Sequence, residues 1–154
     1  PSNVKFHLVR LHKRLGSDLR SLRENLLKEF YLILTSFQAC EEFFGDLHAE
    51  IHRSIPIIEN RGVLINDRVY YPGDSFTLPD RPVELLAVPT SAPWLKVGEI
   101  MDFVEAVDHK KSIATHNALL SEFGHNLNNG RVKAITESKG GQFTYLLSGE
   151  SIEI

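Results

Sequence analysis

From Ser17 onward, Leu19, Leu22, Leu26, Leu27 and Phe30 recur three or four residues apart, with Arg20, Arg23, Glu24 and Lys28 between them. That spacing predicts an amphipathic helix with Ser17 or Asp18 as its N-cap. The period then changes. Residues 31–37 (YLILTSF) form a β-prone run, and residues 41–46 a second short strand ending at Gly45. Residues 62–65 and 68–71 flank Asn66-Asp67, two residues that tolerate positive φ, which predicts a hairpin with a two-residue turn. Pro82 and Val83 open the unalternating apolar run Leu85-Leu86-Ala87-Val88, closed by Pro89 and Pro93, as for a strand buried on both faces. Ile100, Phe103, Val104 and Val107 return to helical spacing, and residues 111–115 (KSIAT) make a strand that runs into His116. Leu119, Leu120 and Phe123 suggest a short helix ended by Gly124. The tail alternates through Phe143, Tyr145, Leu147, Ile152 and Ile154, as edge strands do. Strand and helix interleave, so the expected class is α/β or α+β, a mixed sheet with helices on one face.

The length of 154 residues and 42% hydrophobic content suit one ordinary domain that needs no staples. Lys and Arg number 17 against 20 for Asp and Glu, a net charge of -3, which gives no broad attraction to nucleic acid or an anionic membrane. A small-molecule or protein partner is the better default. Cys40 is a lone cysteine, which fits a reducing compartment, with the cytoplasm as the expected location, and excludes a cysteine-rich zinc ribbon. Lys5, Arg10, Lys13 and Arg14 interrupt the N-terminal apolar residues, unlike the apolar run of a signal peptide. No stretch approaches the ~20 apolar residues of a membrane span. The chain opens on Pro1, so an initiator was removed or an upstream segment is absent.

Three segments end a predicted strand on a residue able to bind a divalent metal: FFGDLH at His48, YYPGD at Asp74 and IATH at His116. Ligands at strand ends converge on one rim of a sheet, where a rigid scaffold holds them to the tolerance that coordination requires. Each residue also has a plainer reading. Asp74 can cap the turn after the hairpin, and His116 can be a structural histidine bonded to a nearby carbonyl. Trp94 reads as a packing anchor, Glu41 and Glu42 as a solvated strand edge, and His109 and His125 as surface residues beside helix ends.

The stretches GDLHAEIHRSIPIIENRGVLINDRVYYPGDSF, PVELLAVPTSAPWLKVGEIMDFVEAV and ATHNALLSEFG together resemble the C-terminal half of the metallo-β-lactamase-fold metal-dependent hydrolases. The resemblance is strongest to the bacterial branch with a His-Ala-x-Ile-His segment and a Ser-Ala-Pro-Trp loop, and runs from about Gly45 to Ile154, including the Ser-Gly-Glu-Ser ending. It implies half of an αββα sandwich, with residues 41–154 as the half-domain and residues 1–40 an unmatched helical and strand segment. It also implies His48 on a first metal, His116 on a second, and Asp74 bridging the two, with His52 as second choice to His48. A carboxylate suits the bridge because its oxygens can each hold one ion of a pair ~3.5–4 Å apart. The metal would be zinc, with manganese or iron as alternatives.

One family feature is missing. The His-x-His-x-Asp-His motif, which supplies most ligands of both metals, does not occur in residues 1–42, and no His-x-His occurs anywhere. Each metal would keep one histidine and a shared carboxylate, short of the three protein ligands usual at a catalytic zinc. The expectation is a hydrolase completed by a complementing N-terminal half from another segment or chain. The competing expectation is a non-catalytic remnant, a homodimeric interaction or binding module whose open sheet face drives association. The basic cluster at Lys5, Arg10, Lys13 and Arg14 is too small to argue for nucleic acid.

Overall fold

The structure, a computed structural model, describes residues 5–7, 41–45, 47–147 and 150–154. The helix expected from Ser17 and the strand expected at residues 31–37 lie outside the described residues.

A six-stranded mixed sheet carries the fold, in the order β2-β3-β4-β5-β6-β7. Strand β2 (Glu41–Phe44) forms one edge. It runs antiparallel to β3 (Gly62–Ile65), which turns back into β4 (Val69–Tyr71). The turn is the predicted one: Asn66 and Asp67 take φ of 51° and 54°, the left-handed pair that matches the twist of a hairpin. From β4 the sheet becomes parallel, through β5 (Val83–Pro89), β6 (His109–Thr115) and β7 (Gln142–Thr144). A separate pairing joins β1 (Lys5–His7) antiparallel to β8 (Ser151–Glu153).

Parallel neighbours require crossovers, and two helices supply them. Helix α1 (Val97–Ala106) links β5 to β6. Its first turn is closed by Glu99, whose carboxylate accepts from the Lys96 backbone N–H at 3.2 Å. Its apolar stripe of Ile100, Phe103 and Val104 is buried against Leu64, Tyr70, Leu86 and Val88 of the sheet. Helix α2 (Glu122–Ser138) links β6 to β7 and packs on α1 and on both strands. It is much longer than the short helix expected before Gly124. Ser121, whose Oγ accepts from the Gly124 N–H at 3.3 Å, starts it there, and Leu119 and Leu120 precede it. The chain runs helically through Gly124 and Gly130, and a Cβ at Gly130 would meet open space.

The buried stripe of α2 is Asn128, Asn129, Val132 and Thr136, largely polar. Each polar group needs a partner in the interior. The Asn128 amide donates to the Thr90 carbonyl at 2.7 Å. Thr136 meets both His109 and Ser112 of β6, with its hydroxyl 3.0 Å from His109 Nε2 and 2.8 Å from Ser112 Oγ. His109 is therefore a core residue, 5% exposed, and not the surface histidine that its polar neighbours suggested.

The opposite face of the sheet is buried as well. Ile65, Val69, Leu85, Ala87 and Ile113 form a second core cluster, with Leu146, Ile152 and Ile154 from the C-terminal segment packed into it. The open apolar face expected of a half-sandwich is thus covered within the chain. Exposed apolar residues include Leu47, Ile51, Ile55, Ile57 and Ile58 of the 47–58 loop and Leu119, Phe123 and Leu127 around the start of α2.

Candidate functional site

Strands β4, β5 and β6 are adjacent and parallel, so their carboxyl ends share one edge of the sheet. In open α/β sheets, ligand sites form in the crevice beyond such ends. Asp74 follows β4, the loop at residues 91–94 follows β5, and His116 follows β6. The three converge.

Asp74 stands on a turn that is tied from several sides. Gly73 takes a φ of 72°, which side chains disfavour, and a Cβ there would overlap the Asn60 side chain. The Asn60 amide donates to the Pro72 carbonyl and to Ser75 Oγ, both at 3.0 Å, while its Oδ1 accepts from the Asp74 N–H at 2.7 Å. Tyr70, fully buried in β4, donates its hydroxyl to the Thr77 carbonyl at 2.7 Å. The Ala49 N–H donates to the Asp74 carbonyl at 2.9 Å. With both ends of the turn fastened, the carboxylate has a defined position.

His116 adopts a φ of 51°, rare for a residue with a side chain. Strain of this kind costs about 1–3 kcal/mol and persists where surroundings over-determine it. Here the surroundings are two hydrogen bonds. Nδ1–H donates to the Ser91 carbonyl at 2.5 Å, and Nε2–H to Asp74 Oδ1 at 2.9 Å. With both nitrogens donating, the ring is an imidazolium. The Asp74 bond, opposed by desolvation and aided by Ser91, lifts its pKa to about 8. The same bond, again opposed by desolvation and with smaller help from Trp94 and His48, holds the Asp74 carboxyl below its ordinary value. Burial, and after it the Asp74 charge, push the neighbouring Tyr71 hydroxyl well up.

Of the four residues expected as ligands, the structure brings Asp74 and His116 into contact. His48 is close enough for its charge to act on Asp74, but its Nδ1 is turned to its neighbour, 2.5 Å from the Ala49 carbonyl oxygen. The backbone holds it there, since the His48 N–H donates to the Ile58 carbonyl and Leu47 bridges Glu59. His52 is exposed and bonded locally to Ser54. Among the described residues no three His, Cys, Asp or Glu side chains form a group able to hold a metal. The donors present fit two positions of a divalent-cation site. One is a carboxylate, and the other is an imidazole whose Nδ1 is fixed on a backbone carbonyl so that Nε2 faces inward, the usual way a ligating histidine is oriented. A third donor is not assembled beside them.

Asn60 and the backbone of Ser91 were not legible as site residues. Their roles depend on contacts 14 and 25 positions away in the chain.

The chain is similar to a solved structure described as Igni18, a novel metallo hydrolase from the hyperthermophilic archaeon Ignicoccus hospitalis KIN4/I. The TM-score is 0.52 at 11% sequence identity, over 96% of this chain and 77% of that one. The chain has a metallo-hydrolase-like fold. It is also 35% identical over 97 residues to Protein Rv0786c of Mycobacterium tuberculosis (strain ATCC 25618 / H37Rv), a match covering 60% of this chain and 46% of that protein. The matched stretch thus spans less than half the length of that relative. No protein-family model matches the chain. No helix among the described residues is long and apolar enough to cross a membrane.

Proposed function

We propose that the chain is the C-terminal half of a metal-dependent hydrolase of the metallo-β-lactamase fold, in the bacterial branch marked by His48-Ala49-Glu50-Ile51-His52 and Ser91-Ala92-Pro93-Trp94. Asp74 and His116 would hold a divalent cation, zinc first and manganese or iron as alternatives, with His48 the next donor in reach. The remaining ligands come from another segment or chain. The observation that carries this reading is the contact of Asp74 with a strained His116 across the carboxyl ends of parallel strands. When bound, such a cation supplies a Lewis acid and a hydroxide available near neutral pH. The chemistry suits an ester, amide, lactone or phosphoester. For His116 to bind through Nε2 it gives up the proton now shared with Asp74, while Nδ1–H stays on Ser91. The test is metal analysis of protein purified without chelator, alone and after mixing with a segment carrying His-x-His-x-Asp-His. Metal retained in the mixed sample, with hydrolysis of a chromogenic ester or phosphoester, supports the reading. The absence of zinc, manganese and iron from both samples would rule it out.

A second reading is a non-catalytic, dimeric interaction module. What favours it is the exposed apolar surface of the 47–58 loop and of Leu119 and Phe123, the latter two 75% and 77% exposed. Contiguous exposed apolar residues mark association surfaces. Light scattering at micromolar concentration should then give a dimer that becomes monomeric in the Leu119→Ser, Phe123→Ser double variant. A monodisperse monomer of the unaltered chain contradicts it.

A further inference from the structure

The end of α1, the end of α2 and the start of β6 meet at one oxygen. The Val107 carbonyl accepts from His109 Nδ1–H and from the Lys139 ammonium, each at 2.8 Å, and that ammonium also donates to the Glu105 carbonyl at 2.9 Å. Lys139 is the C-cap residue of α2 and is exposed. Its charge thus sits on the carboxyl end of the neighbouring helix, where a cation is favoured.

His109 is buried, and both of its nitrogens are engaged. A carbonyl can only accept, so Nδ1 carries the proton and Nε2 accepts from the Thr136 hydroxyl at 3.0 Å. Thr136 has one hydrogen to give, so its oxygen accepts in turn from Ser112 at 2.8 Å. The arrangement suits a neutral imidazole. A second proton, on Nε2, turns the Thr136 hydroxyl toward Ser112 and displaces the Ser112 hydrogen. It also sets an imidazolium beside an ammonium on the same carbonyl oxygen, a repulsion that burial strengthens. Of the two cations, Lys139 is the one with water to move into.

Other charges near this junction are few. Burial, against the Val107 bond, disfavours a charged His109; Lys139 adds to that and Asp108 opposes it. From α1 the contacts are the Glu105 and Val107 carbonyls. From β5 the Val83 N–H is bonded to the Asp108 carbonyl at 2.9 Å. Strand β7 brings no titratable side chain. Between Lys139 and β7 stands Gly141, whose N–H donates to the Thr136 carbonyl at 2.9 Å and where a Cβ would come within 2.7 Å of the Lys110 carbonyl. The entry to β7 is therefore seated on the same threonine that bonds His109.

We propose that His109 and Lys139 form an acid-operated latch on the Val107 carbonyl: neutral His109 and Lys139 together tie the end of α2 to the end of α1, and a proton on His109 expels Lys139, freeing the last turn of α2 and the entry to β7 while the central strands stay folded. The opening is local, a sub-global unit of the kind that edge elements form.

The test is a 15N-labelled chain followed from pH 7.5 to 4.5, with the His109 ring read by carbon–proton NMR. The Gly140 and Gly141 amides should shift with the midpoint of the His109 ring. Exchange of the Gly141 N–H, corrected for its intrinsic pH dependence, should quicken by about fivefold or more, the factor that one ordinary hydrogen bond is worth. Amides of β5 and β6 should keep their protection. In Lys139→Met, which keeps the stem and removes the charge, the His109 ring should titrate at a higher pH, and the Gly140 amide should sit at its acid position already at pH 7.5. A Gly141 amide still protected where His109 is protonated overturns the latch. Loss of protection in Gly141, β5 and β6 together overturns it as well, since acid then unfolds the whole chain. An unchanged His109 midpoint in Lys139→Met does the same, because the two cations then do not compete.

Discussion

In the Asp74→Asn variant the His116 imidazole titrates well below the value of about 8 that it has beside Asp74. The hydrogen bond and charge of Asp74 are what lift it, and desolvation, which opposes them, remains after the substitution. The Ser91 bond still orients the ring. Carbon-proton NMR of the histidine ring across pH 5–9 measures this, and a His116 that still titrates near 8 contradicts the account. A stability consequence follows through linkage. Because the folded pKa of His116 is raised, its contribution is complete below the unfolded value of 6.5 and is lost as pH rises through about 8. Asp74 is held below its ordinary 3.8, so its share is present above that value and is lost as pH falls through the lowered one. The pair therefore stabilises the fold most between about pH 4 and 6.5. Asp74 is half exposed, and after allowance for solvent screening the effect is about 1 kcal/mol. Urea midpoints of the unaltered chain and the variant should differ by that amount at pH 6 and converge near pH 9.

The Thr136→Val variant should lose more, about 3 kcal/mol. Its hydroxyl serves two buried groups at once: His109 Nε2, which accepts from it because Nδ1–H is committed to the Val107 carbonyl at 2.8 Å, and Ser112 Oγ. Valine keeps the volume but leaves both groups unpaired, at about 1–3 kcal/mol each. Adding Ser112→Ala should recover part of the loss, since it removes one of the stranded groups. This non-additivity separates the network from simple repacking. The same network makes the fold acid-sensitive. Burial, against the opposing Val107 bond and with help from the Lys139 charge, holds His109 below 6.5. The stability it contributes is therefore present above 6.5 and falls away as pH drops through its lowered value. Denaturant titrations at pH 7.5 and 5 measure both effects. A Thr136→Val variant as stable as the unaltered chain would show that the hydroxyl is not shared.

The elements legible in the sequence are those whose signal is local. Asn66-Asp67 between two β-rich arms specifies its own turn. The continuous run at residues 85–88 is a central strand with neighbours on both sides, and Ile100, Phe103 and Val104 carry helical period for α1. Helix α2 was largely hidden because it buries Asn128, Asn129 and Thr136, so hydrophobic spacing fails there, and because Gly124 read as a helix end. His109 was misplaced for the same reason: its neighbours in sequence are polar, and its partner Thr136 is 27 positions away. Asp74 and His116 were candidates from strand-end position and from family resemblance, and the structure brings the two into contact. Their mutual contact, the strain at His116 and the tether from Asn60 could not be read from the sequence, since each arises from chain segments that meet only in the folded sheet.

Asp74 and His116 are proposed as paired donors for a divalent cation. Anomalous diffraction at the zinc edge from crystals soaked in millimolar zinc tests it most directly. The expected result is a peak ~2.0–2.2 Å from both His116 Nε2 and a carboxylate oxygen of Asp74, with His116 Nδ1 still on the Ser91 carbonyl. Zinc found only at other residues, with the 2.9 Å bond between His116 and Asp74 unbroken, would contradict it.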